Sequence, residues 1–505
     1  MKKLIFIILI GFSVLSYASI KYVPSEYSTI QIAINCSSNG DTIILKKGRY
    51  SENINLNGKN IVVASMYLST NDTDFIANTI IDGQGKESVI KIVNNENEST
   101  VICGLSIING KSSKGGGIQI GMDSKPAIKN CKVYNNTANS GGGISVGDKS
   151  MPIIQSCKIF NNKTIGTCVN GTCGGGIVLG NYSRAKLFNC EIYNNRTECT
   201  GGGIYAISNP NVTLYRFSLS IDRCVFYGND AAEGGGIASM RGCNIKVTNS
   251  VFSNNFAKKG PEILIYDGNA TLINSIVYND SISIKPSIHF EKPSCCSLYT
   301  SNEFNMHNSL IYGGAKSVNV IGNNANYFNS GSIESDPMFV DYKKNNYHLK
   351  DNSPCIDKGI SQYIINSQAI ESGYVLIGNV YTPVTSKDQG YIAVGDTLIN
   401  MSTNDFNGNS PDIGAFEFFN STPVNINEFH GIKIYPNPTI ETISIISPDD
   451  ELLKIEIYNL EGQIIKSNHI NKFDYVVNLS TFKSGIYILK LFTTNGLFIR
   501  KLTKK

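Results

Sequence analysis

The chain has 505 residues, 47 of them glycine, no tryptophan, and a formal net charge of +4 at pH 7. It is longer than one ordinary domain, and its many asparagine and glycine residues predict frequent turns and short strands. Two lysines lie in the first three residues, and Lys433 to Lys505 holds ten basic and seven acidic residues, so the segment between has a net charge of −1. This balance gives no electrostatic argument for binding nucleic acid or an anionic membrane.

Residues 1–18 have the features of a signal peptide. A basic start precedes an apolar run from Leu4 to Leu15, and the small residues Ser16 and Ala18 fit cleavage after Ala18. The run is too short to span a bilayer, and no other long apolar segment follows it. We therefore expect an exported protein that does not span a membrane.

The mature chain is predicted to begin with a short amphipathic helix. Ser28 is a suitable N-cap, and the apolar residues Ile30, Ala33 and Ile34 follow at helical spacing before the turn "NGD" and a strand. A helix in this position would cover the open end of a stack of coils.

Two short motifs recur through the middle of the chain. One has a small residue, an apolar residue two positions later and usually asparagine five positions after the start, so the first two share a strand face. It begins at Cys131, Cys157, Cys190, Cys224, Ser250, Ser275 and Ser309. The other motif, GGGI, begins at Gly115, Gly141, Gly174, Gly201 and Gly234, with a degenerate copy, GPEI, at Gly260.

The GGGI copies are separated by 26 to 33 residues, and short strands fill the intervals. Irregular intervals of this length predict the coils of a parallel β-helix, in which an insertion lengthens a turn without disturbing the stack. A leucine-rich repeat would need a stricter period and a leucine skeleton. A phosphate-binding loop would need Gly-Lys-Ser/Thr after the glycines, which no copy has.

The segment from Thr29 to Ser65 closely resembles the entry module of pectate-lyase-like β-helix proteins. The GGGI and apolar-x-x-Asn motifs are similar to the repeats of polymorphic outer-membrane proteins. These resemblances imply an all-β chain whose residues 19–350 form a right-handed parallel β-helix with an N-terminal cap. The motifs "NSPCIDKG" and "SPDIGAFEF" in residues 351–419 resemble the closing segment of bacterial surface β-helix proteins, here with an insertion. Residues 420–431 read as a linker.

The tail, residues 432–505, alternates strands with turns, which predicts a small immunoglobulin-like β-sandwich. It resembles the type A C-terminal sorting domain of the type IX secretion system. The matching residues are Tyr435, Pro436, Asn437, Pro438, Gly462, Gly485, Tyr487 and Leu489. The resemblance implies the type IX secretion machinery as a partner, passage through the periplasm and across the outer membrane, and usual loss of the tail. The alternative is an ordinary immunoglobulin-like binding module.

The sequence identifies no catalytic and no cofactor-binding residues. Pectate lyases of this fold use calcium held by clustered carboxylates, and glycoside hydrolases need a pair of carboxylates. An oxygen-rich stripe after the GGGI isoleucines is the only candidate for calcium, and the alternative is that each residue opens a turn. The stripe consists of Asp123, Asp148, Asn181 and Asn209. Lys158 with Glu191, and Arg196 with Asp230, are predicted to be solvated charge pairs on neighbouring coils.

Most cysteines are predicted to be structural. Exchange of cysteine for serine along one ladder indicates a site for a small inward-facing residue, and its free thiols are predicted at Cys131, Cys157, Cys190 and Cys224. Irregular turns make a disulfide easier among Cys168, Cys173 and Cys199. Five scattered histidines have no metal-like spacing and are expected at the surface or in turns: His289, His307, His348, His430 and His469.

An aromatic ladder follows the small-residue ladder by three positions, interrupted only by Ser253. It comprises Tyr134, Phe160, Tyr193, Tyr227, Tyr278 and Tyr312. If the rings point outward they form a strip on which sugars stack, and if the chain bends at the asparagine they stack on one another around a corner.

The function expected is that of a secreted or surface-displayed adhesin, scaffold or glycan-binding protein. The alternative is a secreted polysaccharide lyase or glycoside hydrolase.

Overall fold

The computed structural model divides the chain into two compact units, Met1–Phe418 and Phe419–Lys505. It describes residues 18–166, 173–207, 217–280, 286–292, 302–322, 325–364, 374–377, 380–383, 397–401, 405–406, 408–417, 432–447, 451–459, 464–493 and 496–504. The predicted signal peptide therefore lies outside the described residues, except for Ala18.

Three long parallel sheets wind through the first unit and form a parallel β-helix. The GGGI sheet, named for the motif that precedes most of its strands, contains Ile54–Asn55, Ile90–Ile92, Ile118–Ile120, Ile144–Val146, Ile177–Leu179, Ile204–Ile207, Ile237–Met240, Ile263–Tyr266, Ile288–Glu291 and Val318–Ile321. The twelve-stranded sheet contains Ile20–Val23, Thr42–Leu45, Val62–Ser65, Val101–Cys103, Ala127–Lys129, Ile153–Gln155, Arg184–Phe188, Phe217–Asp222, Cys243–Thr248, Asn269–Ile273, Asn302–His307 and Ala325–Ser330.

The third, or aromatic, sheet carries the predicted aromatic ladder at its strand ends. Its strands are Gly48–Tyr50, Thr79–Asp82, Ser106–Ile108, Lys132–Tyr134, Lys158–Phe160, Glu191–Tyr193, Val225–Tyr227, Val251–Ser253, Ile276–Tyr278 and Leu310–Ile311. A small parallel sheet at the next corner contains Lys111–Lys114, Thr137–Ser140 and Lys163–Thr164. Among the described residues, the α-helices are Ile30–Asn35, Tyr67–Thr70 and Asp74–Asn78, and the 3-10 helices are Gly314–Ser317 and Tyr342–Lys344.

Identical side chains stack in register inside the coils. The first isoleucine of each GGGI strand pairs with that of the next coil, as Ile118 does with Ile144 and Ile144 with Ile177. All three side chains are fully buried. Because each coil donates its backbone hydrogen bonds only to its neighbours, the apolar core is continuous along the stack.

The GGG triplets are required by close contact between coils. Gly141 adopts φ +65°, a conformation that glycine favours, and a Cβ on Gly142 would lie 2.5 Å from the carbonyl oxygen of Gly175 in the next coil. The triplet therefore marks a tight corner where two backbones approach each other, and its repetition has a steric cause.

The N-terminal helix covers the first coils as expected, with Ile30, Ala33 and Ile34 buried. The predicted N-cap, Ser28, is wrong by one residue. Thr29 has the extended backbone of an N-cap, and its hydroxyl accepts a hydrogen bond from the Ile32 amide at 3.2 Å. A cap of this kind stabilises a helix by about 1 kcal/mol.

The last strand of the twelve-stranded sheet ends at Ser330, and a single parallel bridge then joins Ile333 to Leu310, before the predicted boundary at residue 350. Phe339–Asp341 and Asn346–Leu349 instead form an antiparallel pair, here called the closing hairpin. The hairpin packs with Ile413 on the outer face of the aromatic sheet, against Tyr227 and Tyr278. Further antiparallel pairs join Gln362–Ile364 to Thr397–Asn400, and Tyr374–Ile377 to Val380–Pro383.

The second unit is a small sandwich of two antiparallel sheets. One sheet contains Lys433–Tyr435, Thr442–Ile446 and Asp474–Asn478, and the other contains Ile464–Lys472, Leu452–Tyr458, Gly485–Thr493 and Gly496–Lys504. Side chains of both sheets, including Ile443, Ile455 and Leu489, form its own buried core.

Candidate functional site

The rings of the aromatic ladder stack at a corner of the β-helix. Centroids of Tyr134 and Phe160, and of Phe160 and Tyr193, are 4.7 Å apart, with the ring planes within 7° of parallel. The residue after each of these rings is an asparagine with positive φ, as at Asn161, which turns the chain. The rings therefore point outward and also stack around a corner. Both faces of Phe160 and Tyr193 are covered by neighbouring rings.

The later rings of the ladder lie beneath the closing hairpin. Tyr347 packs on Tyr227 at 5.5 Å between centroids, and Phe339 meets Tyr278 edge-on at 5.7 Å. Tyr312 packs on Tyr278 at 5.0 Å. This arrangement favours the structural interpretation of the ladder, whereas sugar binding along it stays a prediction.

A groove of about 660 Å³ opens where the closing hairpin meets the corner beyond the aromatic sheet. Phe256 lines this groove, and its side chain is 59% exposed. The Phe256 backbone is held on the preceding coil, since its amide donates to Asn229 O at 2.8 Å and its carbonyl accepts from Ala231 N at 3.0 Å. The groove therefore presents an aromatic ring on a rigid backbone.

Charged and polar side chains surround this ring. Asp230 is the register partner of Phe256, and it lies 3.6 Å from Arg196. From the closing hairpin, the Tyr342 hydroxyl donates to Asp280 at 3.2 Å. The groove lining includes Asp230, Asn254, Lys258, Asn279, Asp280, Tyr342 and Lys343. An aromatic surface bordered by carboxylates, amides and ammonium groups has the donors and acceptors that sugar hydroxyls need.

A buried asparagine ladder lies below the groove. The Asn195 amide side chain donates to Asn229 Oδ1 at 3.0 Å and to the backbone oxygen of Ile159 at 2.8 Å, and the same pattern repeats from coil to coil. The ladder comprises Asn136, Asn162, Asn195, Asn229 and Asn255, all fully or almost fully buried. Each side chain thus satisfies backbone groups that the sharp corner leaves without strand partners.

Glu262 ends the asparagine ladder, in the place of the third glycine of a GGGI motif. Its carboxylate accepts from the Asn255 amide at 3.2 Å and from Asn279 Nδ2 at 2.8 Å. Complete burial raises the pKa of Glu262 to about 8, although the hydrogen bonds from the two asparagines oppose the shift. Asn255 and Asn279, which donate to this carboxyl group, also line the groove. A carboxyl group that resists ionisation therefore lies directly beneath the groove.

The candidate calcium stripe has the geometry of successive turns. Asp148 Oδ1 accepts from the Asn181 amide at 2.9 Å, and Asp123 has a positive φ of 56°. Asn209 lies outside the described residues. The part of the chain that the structure describes contains no group of three or more acidic, histidine or cysteine side chains able to hold a metal. Calcium binding along the stripe stays a prediction, and these contacts favour the turn interpretation.

The small-residue ladder contains free, buried thiols at Cys131, Cys157, Cys190 and Cys224. Burial raises the pKa of Cys157 and of Cys224 well above the ordinary value. Of the disulfide candidates, Cys199 is disulfide-bonded, whereas Cys173 is a free thiol and Cys168 lies outside the described residues.

The charge pairs predicted from the repeats are confirmed, with Lys158 Nζ 2.8 Å from Glu191 and Arg196 Nε 3.6 Å from Asp230. The expectation for His289 is wrong, because the residue is buried at 5% exposure. Its Nε2 lies 2.9 Å from Glu291, and its Nδ1 lies 3.0 Å from Asn319 Nδ2. Both ring nitrogens have partners, so a strand position between two coils accommodates this imidazole.

In the tail, the YPNP segment is attached to the last strand. Asn437 Oδ1 accepts from the Thr503 amide at 2.9 Å, and the Tyr487 hydroxyl donates to Lys483 O at 2.9 Å. Tyr435 is exposed, and a Cβ on Gly485 would meet no atom within 4 Å. Gly462 lies outside the described residues.

Two family models match parts of the chain. Residues 92–282 match "Right handed beta helix region", and residues 433–505 match "Secretion system C-terminal sorting domain". The molecule is thus a right-handed parallel β-helix followed by a β-sandwich sorting domain. It is a protein handled by the type IX secretion system, and this supports a secreted or cell-surface location.

The similar solved structures are distant in sequence. Pectin methylesterase from carrot has 13% identity and a TM-score of 0.30, over 62% of this chain and 90% of that one. The Aspergillus niger pectin methylesterase has 12% identity and a TM-score of 0.33, over 64% and 92%. The PL6 family alginate lyase AlyGC has 13% identity and a TM-score of 0.28, over 84% and 60%. The search of curated proteins found no match.

Within the described residues, no helix is both long enough and apolar enough to cross a membrane.

Sequence reasoning missed Phe256, Glu262 and His289 as notable residues. The sequence did contain a signal for the first two. Phe256 stands where the preceding coils have a charged residue, and Glu262 stands where they have the third glycine of the GGGI motif. The contribution of the closing hairpin had no such signal, because the hairpin reaches the groove by folding back over earlier coils.

Proposed function

We propose that the protein is a polysaccharide-binding β-helix, displayed on the cell surface or secreted, which acts as an adhesin or scaffold. The ligand lies in the groove around Phe256. The observation that carries this proposal is a 59% exposed phenylalanine ring, on a backbone held to the preceding coil, in a groove of about 660 Å³ rich in hydrogen-bonding side chains. Aromatic surface with a few fixed polar groups is the general composition of small-ligand sites.

The proposed route begins with cleavage of residues 1–18 after Ala18 in the periplasm. The folded chain then crosses the outer membrane with its tail, residues 432–505, as the sorting signal. After release or attachment of the protein at the surface, the β-helix is the part that meets the polysaccharide.

The test is binding of the exported chain, from Ser19 onward, to a panel of polysaccharides with and without calcium. Replacing the exposed ring in Phe256→Ala should weaken binding about tenfold, which corresponds to about 1.4 kcal/mol. Phe328→Ala is the matched control, because Phe328 is 51% exposed on the last strand of the twelve-stranded sheet. Unchanged binding by Phe256→Ala, or equal loss in both variants, would refute the groove as the binding site.

A glycoside hydrolase or lyase is the second candidate, favoured by two carboxylates in the same groove. Asp230 and Asp280 both line the groove. They follow Tyr227 and Tyr278, which lie two coils apart in the register of the aromatic sheet, so at about 4.8 Å per coil their backbones are separated by roughly 10 Å. Inverting hydrolases place their carboxyl groups about 6.5–9.5 Å apart. New reducing or unsaturated ends in the same panel, lost in Asp230→Asn and Asp280→Asn, would support catalysis over simple binding.

A further inference from the structure

The near-neutral balance of the β-helix conceals a strong segregation of charge. Residues 99–190 contain ten Lys and Arg against two Asp, a net charge of +8. Residues 19–98 contain seven basic and nine acidic residues, and residues 191–419 contain fifteen basic and twenty-one acidic residues. The coils between residues 99 and 190 are therefore a dense band of positive charge between two weakly acidic segments.

Most of this charge is at the surface and unpaired. Lys111, Lys158 and Lys163 are exposed, and Lys132 is half-buried. Lys158 pairs with Glu191, but no ion pair forms with Lys111, Lys132 or Lys163 among the residues that the structure describes. The two acidic residues, Asp123 and Asp148, lie in turns that follow the GGGI strands, away from these lysines in the coil. Two carboxylates of the neighbouring coils border these lysines: Glu191 pairs with Lys158, and Glu87, whose backbone oxygen accepts from the Lys111 amide, pairs with Lys91. Lysines therefore outnumber carboxylates on this face, and the excess of positive charge remains.

These lysines form two rows parallel to the helix axis. Lys132 is the register partner of Lys158, and Lys111 and Lys163 both pair with Thr137 between them. The stacked rings of Tyr134, Phe160 and Tyr193 lie between the rows in the coil sequence. Successive coils place a charge every 5 to 10 Å along the axis, given a coil rise of about 4.8 Å. We call Lys111, Lys132, Lys158 and Lys163, with these rings, the basic strip.

The rings between the rows indicate which polyanion fits. Their faces are covered by one another, so nucleic acid bases cannot stack on Phe160 or Tyr193 as they do on free aromatic platforms. The stack presents ring edges, which carry the positive end of the aromatic quadrupole. A second copy of the chain fits less well, because its acidic segment spreads a net charge of −6 over 229 residues.

We propose that the basic strip binds an anionic polysaccharide along the helix axis, through carboxylate or sulfate groups at intervals along the glycan. This inference rests on the proposed function in one respect, that the ligand is a polysaccharide. The residues of the basic strip lie on different coils from those of the Phe256 groove. The strip supplies long-range attraction and a salt-dependent contact, whereas the groove supplies the close fit.

The test measures binding of the exported chain to dextran sulfate, hyaluronan, uncharged dextran and a DNA duplex at about 50 and 200 mM NaCl. The triple variant Lys111→Gln, Lys132→Gln, Lys163→Gln should bind its preferred charged glycan about tenfold more weakly at low salt and with a smaller salt dependence. The matched control removes the same charge from exposed lysines of the acidic segment, as Lys316→Gln, Lys350→Gln, Lys358→Gln. It should bind within about twofold of the unmodified chain.

Stronger binding of dextran sulfate or of hyaluronan would identify sulfate or carboxylate as the recognised group. Three results would each overturn the proposal. They are an equal loss of glycan affinity in the control variant, binding of uncharged dextran as tight as that of the charged glycans, and binding of DNA tighter than that of a glycan with the same number of charges. Phe256→Ala separates the two sites. Loss in Phe256→Ala without loss in the triple variant would leave the groove as the binding site and refute the strip.

Discussion

Glu262 lies at the end of the buried asparagine ladder, and its buried carboxyl group makes the stability of the β-helix depend on pH. The preceding coils have glycine at this position, and the buried asparagines continue from coil to coil. At Glu262 a carboxyl group takes over the acceptor role of the next asparagine, because it accepts from the Asn255 backbone amide at 3.2 Å. Tyr347 is buried nearby, and it supplies no positive charge to stabilise the carboxylate.

The predicted consequence is a stability that falls as pH rises. The pKa of Glu262 is about 8 in the folded chain and about 4.5 when solvated, so the folded form binds the extra proton between these values. Protonated Glu262 therefore makes its full contribution to the free energy of unfolding below about pH 4.5. That contribution is lost as pH rises through about 8, at no more than about 1.4 kcal/mol per pH unit. Urea unfolding from pH 5 to 9 should show this loss for the unmodified chain and little of it for Glu262→Gln.

The comparison with Glu87→Gln removes effects common to any lost carboxylate, because the Glu87 side chain is 61% exposed. A pH profile of Glu262→Gln that parallels the unmodified chain would show that Glu262 is ionised in the folded protein at neutral pH.

The thiols of the small-residue ladder are predicted to be inert in the folded chain. Cys131, Cys157, Cys190 and Cys224 are at most 1% exposed, so an alkylating reagent cannot reach their sulfur atoms in the folded chain. Burial also raises the pKa of Cys157 and of Cys224 well above the ordinary value. Brief treatment with iodoacetamide, followed by peptide mass spectrometry, should leave these four unmodified and modify the exposed Cys36. In denaturant all five should react, and labelling of the ladder in the folded chain would contradict its burial.

The elements that the sequence predicts well are those that repeat. Isoleucine, small residues and asparagine return at each coil because every coil must satisfy the same contacts, so pattern alone locates the strands of the β-helix. The N-cap lies one residue after the predicted one, because Ser28 and Thr29 are both suitable by residue type and only the extended backbone at Thr29 decides between them. Phe256 and the closing hairpin lie outside the repeat, so the groove depends on tertiary packing that no local pattern encodes.

The GGG corner gives a direct test of the steric argument at the element level. Gly142→Ala places a Cβ 2.5 Å from Gly175 O, and the coils cannot separate locally without loss of their hydrogen bonds. We expect destabilisation by about 3 kcal/mol or more. In the same β-helix, Gly48→Ala would place its Cβ no closer than 3.9 Å to another atom, so it should be nearly neutral. Thermal unfolding of both variants makes the comparison, and similar melting temperatures would contradict the close-approach explanation.

At the scale of the whole molecule, the two units have separate buried cores. The β-helix core runs through its coils, and the sandwich core is built from side chains such as Ile443, Ile455 and Leu489. The family match at residues 433–505 falls within the second unit. Export information and the proposed binding surfaces therefore belong to different parts of the chain, so they can be separated by truncation.

Deleting Lys433 to Lys505 should trap the protein in the periplasm, because the deletion removes the segment that matches the sorting family. Cell fractionation and surface protease treatment of intact cells would measure the location. The truncated chain should keep its melting transition and its polysaccharide binding, since its core and both proposed surfaces are intact. Preserved folding with periplasmic retention would separate a sorting defect from misfolding, whereas normal surface display of the truncated chain would refute the sorting role of the tail in this protein.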